Sequence, residues 1–350
     1  MPAPELPLSR RVGPSPEPQL PTHPDVANWR AATAADVDEL LAFHADVAAA
    51  DHPEWIETRD EVMEAFEASH IDPSRDTMLG IDASGRVLAS GSVVVPTGRE
   101  TLIRAIALGA VRPDARGRGI GRALLDWQLE RARERLAGFD DPLPGWIVAY
   151  AEERAPDAGA LLERAGLPQR RHFFTLGRDV SLPIEPIEPR TDDVDLVPWA
   201  TEWTESTRLA RNEAFADHWG SQSTGPETWG RIVGAEHFAP SLSFVAVERG
   251  AAGARGDRVV GFVLALCNPG DWPGQGFSSS YVQLVGVVRE QRGRRIAQAL
   301  LARHLEACRA AGLDQSILDV DAESPTGALG LYTALGYVVA NTHHSHVLEY

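Results

Sequence analysis

At 350 residues and 37.9 kDa the chain exceeds one small domain and suits two of ordinary size. Hydrophobic residues make up 43% and charged residues 24%, the mix of a globular chain, and the formal charge of −17 opposes nucleic-acid binding, which needs a basic face. No apolar run reaches the roughly 18 residues of a membrane helix, and Cys267 and Cys308 lack the CxxC pairing of a zinc site, so we expect a soluble, cytoplasmic chain with no membrane partner.

Residues 1–28 carry eight prolines between Pro2 and Pro24 and few apolar groups, which predicts a disordered tail. Amphipathic helical segments follow at Asp36–Ala49, then a hairpin (Thr77–Ile81 with Val87–Val95) and a third strand, Thr101–Val111. That strand enters Arg116-Gly-Arg-Gly-Ile-Gly121, and a long helix leaves with Ile120, Ala123, Leu124 and Trp127 on one stripe. A strand (Trp146–Tyr150), a short helix and a terminal strand complete the unit. A second proline-dense stretch, 181–190, reads as a stiff linker.

Beyond the linker the same series returns. Asp36-Val-Asp38 recurs as Asp193-Val-Asp195, Asp51-His52 as Asp217-His218, and Arg86-Val87 as Arg258-Val259. Arg116-Gly-Arg-Gly-Ile-Gly121 recurs as Arg292-Gly-Arg-Arg-Ile-Ala297, and Leu161-Leu-Glu-Arg-Ala-Gly166 as Leu331-Tyr-Thr-Ala-Leu-Gly336. Five matches in unchanged order establish an internal duplication. The second copy's helical segment is expected within Val194–Phe215, its hairpin at Ser243–Glu248 with Val259–Cys267, and its third strand at Ser280–Val288. A helix striped by Ala297, Leu301, Leu305 and Cys308 and a strand at Ser316–Val320 come next. The expected domains are therefore 29–180 and 191–350, each of an α/β (α+β) pattern.

The glycine–arginine turn carries chemistry. The first amide groups of a helix lack internal partners and lie at the positive end of its dipole. Glycines admit close approach, and arginines at 112, 116, 118 and 122 and at 289, 292, 294 and 295 invert the local sign of an acidic chain. Together these make a socket for a phosphate or pyrophosphate. A P-loop is excluded because no Lys-Ser or Lys-Thr follows. A dinucleotide fingerprint is excluded because Arg122 stands at the last glycine and several strands precede the turn.

The turn resembles the coenzyme A site of the Gcn5-related N-acetyltransferases, Arg/Gln-x-x-Gly-x-Gly/Ala. Arg116, Gly119 and Gly121 match throughout; Arg292 and Ala297 match, with Arg295 at the central glycine, an exchange that a right-handed backbone would tolerate. The resemblance implies two tandem acetyltransferase domains, each a mixed, mostly antiparallel central sheet flanked by helices, with acetyl-CoA as co-substrate and no metal. It places coenzyme A on Val111, Arg116, Gly117, Arg118, Gly119, Ile120 and Gly121 in one copy. In the other it places coenzyme A on Val287, Val288, Arg292, Gly293, Arg294, Arg295, Ile296 and Ala297, with Ser324 where the family usually has Asn. It further implies an oxyanion donor on a bulged strand near Val285–Val287 and a tyrosine proton donor for the leaving thiolate, here Tyr332, aligned with Leu162 of the first copy.

For the base, Tyr281 and Gln283 lie on the strand leading to the turn, where related enzymes often place a Glu; His218, with Asp217, is the other candidate, as is a water relay. Acidic Glu205, Glu213, Asp217, Glu227 and Glu236 suit either a cationic amine or a solvated face. His343, His344 and His346 have no acidic or cysteine partner nearby in sequence and are not read as a metal site. The expected activity is N-acetylation of a primary amine on a small molecule or peptide by a working second copy, the first being degenerate. The chain would act as a monomer (a pseudo-dimer) or a homodimer. The alternative is a non-catalytic acyl-CoA-binding regulator. The two-copy arrangement is also similar to the mycothiol synthases of this family: Asn212-Glu-Ala-Phe-Ala matches their segment, while His218-Trp-Gly departs from their His-Pro-Glu.

Overall fold

The computed structural model describes residues 6–52, 55–250, 256–324 and 327–350. The first half holds α1 (Leu8–Val12), β1 (Asn28–Arg30), α2 (Val37–Asp51), α3 (Arg59–Glu67), α4 (Pro73–Asp76), β2 (Thr77–Ile81), β3 (Val87–Val94) and β4 (Ile103–Val111). It continues with α5 (Ile120–Ala137), β5 (Gly145–Glu152), α6 (Pro156–Arg164) and β6 (Gln169–Asp179). The second half holds β7 (Val194–Pro198), α7 (Thr204–Ala214), α8 (Pro226–Gly234), β8 (Phe244–Glu248), β9 (Arg258–Leu266) and α9 (Trp272–Gln275). It ends with β10 (Ser279–Val287), α10 (Ile296–Ala310), β11 (Gln315–Asp321), α11 (Ala328–Ala334) and β12 (Val338–Glu349).

Two compact units result, and their membership corrects the expectation that each copy supplies its own last strand. One unit is Met1–His172 with His343–Tyr350; the other is Phe173–Thr342. In the first, β4 and β5 run parallel from Ile103↔Gly145 to Ile106↔Val148, and β5 then pairs antiparallel with β12, His343↔Glu152 to Glu349↔Trp146. In the second, β10 and β11 run parallel from Ser279↔Gln315 to Val282↔Leu318, and β11 pairs antiparallel with β6, Asp321↔Phe173 to Gln315↔Asp179. The terminal strands are exchanged. Both sheets are otherwise antiparallel.

Each sheet is covered on both faces. In the first unit α5 lies so close over one face that a Cβ on Gly91 or Gly109 would meet Leu124 and Gln128, while Phe43 of α2 packs with Leu79 and Val87 on the other. In the second, Ile296 and Leu300 of α10 press on Gly261, and Ala214 and Phe215 press on Gly286 from the opposite side. Val194–Pro198, expected within a helical segment, forms β7 against β8 instead. Its alternating Val-Asp-Leu-Val suits a strand, and Pro198 at the strand's end has no ladder donor to lose.

The tail is the second correction. Leu8 is fully buried among the residues that pack on α5, and its amide and that of Ser9 donate to Asp141 O (2.9 Å) and Phe139 O (2.8 Å). Further along, Glu17 pairs with Arg75 (3.5 Å), His23 Nε2 meets Arg118 O (2.9 Å), and Asp25 lies 3.8 Å from Arg118. The segment is thus a strap running from beyond the C-terminus of α5 back to the turn that opens it. The stretch before β7 does the same in the second unit. Arg309 of α10 donates to Val180 O (2.8 Å), Arg303 pairs with Glu188 (3.3 Å), Arg190 N donates to Arg294 O (2.7 Å), and Asp193 lies 3.9 Å from Arg294. The two proline-rich stretches are therefore a further repeated part. Residues 1–5 lie outside the described residues.

Candidate active site

Strand β10 delivers the chain into a short 3-10 turn, Arg289–Gln291, and then Arg292-Gly-Arg-Arg before α10. Gly293 has φ 79° and Arg295 has φ 59°, ψ 16°; in the first copy Gly117 has φ 72° and Gly119 φ 96°. The right-handed backbone supposed at Arg295 is therefore wrong. Arg295 keeps the left-handed conformation of the glycine it replaces, at about 1–2 kcal/mol, and is the sole non-glycine residue at positive φ among those described. In both turns the amides of the third and fourth residues and of the first two helical residues (118–121 and 294–297) find no carbonyl partner among the described residues. Each turn thus leaves a set of amides that would accept an anion. A phosphate-bearing carrier fits their donors, with Gly117–Gly121 and Gly293–Ala297 as the residues that would hold it.

The leading arginines act differently from the rest. Arg116 donates from Nε to Val111 O (2.9 Å) and forks onto Asp51 at 2.7 and 2.8 Å. Arg292 donates to Val287 O (3.3 Å), to Ala214 O (2.8 Å) and to Asp217 (3.3 Å), which also takes Arg289 at 2.6 Å. The hydrogen bond from Arg289, helped by Arg292, holds the Asp217 carboxyl below the usual carboxylate range. The repeated Asp-His pair thus marks a clamp from the turn to the end of α2 or α7. Arg112 is likewise committed, buried against Glu39 and Asp46. Arg295 makes no ion pair among the described residues and is exposed. Val288 N donates to Val260 O (2.9 Å) and seats the turn on β9.

Of the two strands that enter the turns, only the second copy's breaks its ladder with the preceding strand. The β10–β9 register slips between Val282 and Leu284, leaving Gln283 as an extra residue, whereas β4–β3 is regular from Ala89↔Val111 to Val94↔Ile106. The bulge falls at Gln283, not at Val285–Val287. Past Val282 and Leu318 the parallel pairing of β10 and β11 stops, and the two strands part. Ser280 and Ser316 face α10, where they meet His304 Nε2 at 3.2 and 2.9 Å; by alternation Tyr281, Asp319 and Asp321 share the opposite face. Tyr281 donates to Asp319 Oδ2 (3.0 Å), which bears that out, and burial with this carboxylate raises its hydroxyl well above the usual tyrosine range.

His218 lies tilted by 38° against Phe215 (4.7 Å) on that face. Burial lowers its pKa, opposed by the charge of Asp321, while Arg292 and Arg211 lower it further, so the ring is neutral near pH 7. Tyr332, 7% exposed, packs edge-on to Tyr337 (6.0 Å) on the α10 side. Burial pushes its hydroxyl up to about 12, and no acceptor takes its proton among the described residues. Ser324 follows β11, its amide donating to Asp321 O (3.0 Å). Sequence reasoning missed Asp319 and Asp321 because it sought a carboxylate on β10, while the structure brings these two from the neighbouring strand. Their alternation within Leu318-Asp-Val-Asp321 was the available signal. Of the C-terminal histidines, all on β12, His346 is buried and bonded to Leu167 O (3.0 Å).

The acetyltransferase (GNAT) family model matches residues 41–159 and 203–337, one stretch in each copy. The chain belongs to this family. A mycothiol acetyltransferase of Tsukamurella paurometabola is 30% identical over 294 residues, covering 82% of this chain and 92% of that protein. Among solved structures, a GCN5-related N-acetyltransferase from Sphaerobacter thermophilus is similar with TM-score 0.67 and 26% identity, covering 94% of this chain and 97% of that one. A tandem GNAT protein from the clavulanic acid biosynthesis pathway shares the fold with TM-score 0.64 and 17% identity, over 92% and 98% of the two chains. The expected tandem GNAT architecture is thus observed, and the chain is an N-acetyltransferase of the family that takes acetyl or acyl groups from coenzyme A to amines. No helix among the described residues is long and apolar enough to cross a membrane.

Proposed function

We propose that the second copy moves an acetyl group from acetyl-CoA to the primary amine of a small molecule or peptide by direct attack, and that the first copy no longer turns over. One observation carries this reading: both copies keep the anion socket, yet only the second has the strand bulge and a tyrosine at position 332, where the first has a regular strand and Leu162. Acetyl-CoA supplies the thioester. Gly293–Ala297 would bind its pyrophosphate through backbone amides, with the unpaired Arg295 adding charge and Val287, Val288 and Ser324 flanking the carrier.

The gap where β10 and β11 part would admit the acyl arm between the two faces of the sheet. An amide released by the bulge at Gln283 would stabilise the oxyanion. On one face the neutral His218 would take the amine's proton, with Tyr281 and Gln283 shaping the approach. On the other, Tyr332 always carries its proton and would donate to the departing sulfur. Replacing Tyr332 by Phe should lower kcat about 100-fold and leave acetyl-CoA binding unchanged, as read by thioester consumption and by titration calorimetry. Unchanged kcat removes Tyr332 from the mechanism.

A narrower reading, that this chain too is a mycothiol acetyltransferase, is supported by the relative from T. paurometabola. Turnover of desacetylated mycothiol at a kcat/KM well above that of simple amines would favour it.

A further inference from the structure

The two proline-rich straps reach the equivalent carbonyl of the two turns. In the first copy Asp25 N donates to His23 Nδ1 (3.1 Å), which leaves Nε2 as the protonated ring nitrogen, and Nε2 donates to Arg118 O (2.9 Å). In the second copy Arg190 N donates to Arg294 O (2.7 Å). Arg118 and Arg294 are each the third residue of their turn, and each has a strap aspartate beside its guanidinium, Asp25 at 3.8 Å and Asp193 at 3.9 Å. The donors differ, an imidazole and a backbone amide, while the acceptor is the same.

In a trans peptide the C=O of one residue and the N–H of the next point opposite ways. A strap donor on Arg118 O or Arg294 O therefore turns the following amide, of Gly119 or Arg295, away from the strap. Both peptides are trans, and neither amide has a carbonyl partner among the described residues. These are two of the amides that would receive the anion. The same peptide can flip with little else moving, since rotating it changes only ψ of the third residue and φ of the fourth. A flip would take φ from 96° at Gly119, or from 59° at Arg295, to the negative side. It would also set a carbonyl oxygen where the N–H had been, and that oxygen repels a phosphate. Glycine takes either sign of φ readily; arginine favours the flipped one. The strap bond opposes the flip, and the second copy needs it more.

We propose that each strap is the positioning element of its carrier socket: His23 Nε2 and Arg190 N hold the 118–119 and 294–295 peptides with their N–H groups toward the pyrophosphate, and the second strap also keeps Arg295 in its left-handed backbone. This rests on the reading of the two turns as coenzyme A sockets.

The test uses the full chain and compares Arg190→Pro, which deletes the donor and suits an extended strap, with Arg190→Ala, which keeps it. Its first arm needs no carrier. Arg295→Gly should raise the melting temperature of the Arg190→Ala chain, where the left-handed backbone is held, and give no gain in the Arg190→Pro chain, where a flip has already relieved it. An equal gain in both chains overturns the proposal. In the second arm acetyl-CoA is titrated by calorimetry. Arg190→Pro should bind it about three- to tenfold more weakly than Arg190→Ala, and His23→Leu more weakly by a similar factor than His23→Gln, whose amide can still donate to Arg118 O. Equal affinities within the Arg190 pair overturn the positioning role in the second copy, and equal affinities within the His23 pair overturn it in the first. Should Arg190→Pro not fold, the His23 pair decides: weaker binding by His23→Leu supports the proposal and equal binding overturns it. If the wild type takes up no acetyl-CoA, the socket reading falls, while the melting arm still decides whether the strap holds the peptide.

Discussion

Arg295 holds a left-handed backbone that costs a side-chain-bearing residue about 1–2 kcal/mol, at the mouth of the second anion socket. Arg295→Gly relieves that strain but loosens the unfolded chain, for a net gain near 0.5–1 kcal/mol. We expect a higher melting temperature together with a raised KM for acetyl-CoA; a lower KM would show that the guanidinium does not meet the carrier. His304 makes a second residue-scale prediction. Its Nδ1 donates to Leu242 O (2.8 Å), and its Nε2 accepts from the buried serines, with Ser316 tied on to Tyr337 (2.8 Å). Burial lowers the folded pKa to about 4 from 6.5. Between those values the unfolded chain binds the extra proton, so stability falls as pH drops through this window and this loss levels off below it. Urea midpoints at pH 7, 5.5 and 4.5 should decline in the wild type and decline less in His304→Gln.

The proline-rich straps act as elements although neither pairs as a long strand or winds as a long helix. Their backbone carbonyls face outward from an extended path and take arginine donors, as Val180 O does from Arg309. Leu8 adds a fully buried side chain, for which Gly145 leaves room, so Leu8→Ala should destabilise the protein by about 2–4 kcal/mol in denaturant titrations. A disordered tail would give no change. The straps were illegible because proline density speaks of lost ladder donors and says nothing of arginines elsewhere that can use the free carbonyls. The bulge was illegible at Gln283 for another reason: one inserted residue in an apolar strand changes facing without changing composition. What could be read was the turn, since positive φ twice in four residues leaves few residue types, and the amphipathic stripes of α5 and α10. Arg295 shows the limit of that rule. The carboxylates were hidden by strand adjacency, because Asp319 lies far along the chain from the Tyr281 it joins.

For the whole molecule, the duplication was plain in the sequence and the exchange of last strands was not. Strands β6 and β12 have like patterns, and which neighbour each finds is a long-range matter. The exchange predicts how a divided chain behaves. Residues 1–180 and 181–350 expressed apart should each give aggregated or uncooperative material, and expressed together should give one cooperative transition and restored acetyl-CoA binding. A cooperative melt from either piece alone contradicts this. The crossing has a bearing on descent as well. Recombination at the proline-rich joint would strip the surviving half of a strand and bare a hydrogen-bonding edge, so the gene cannot shed one repeat and keep the other. A first copy that no longer turns over would then be inherited for the strand it lends.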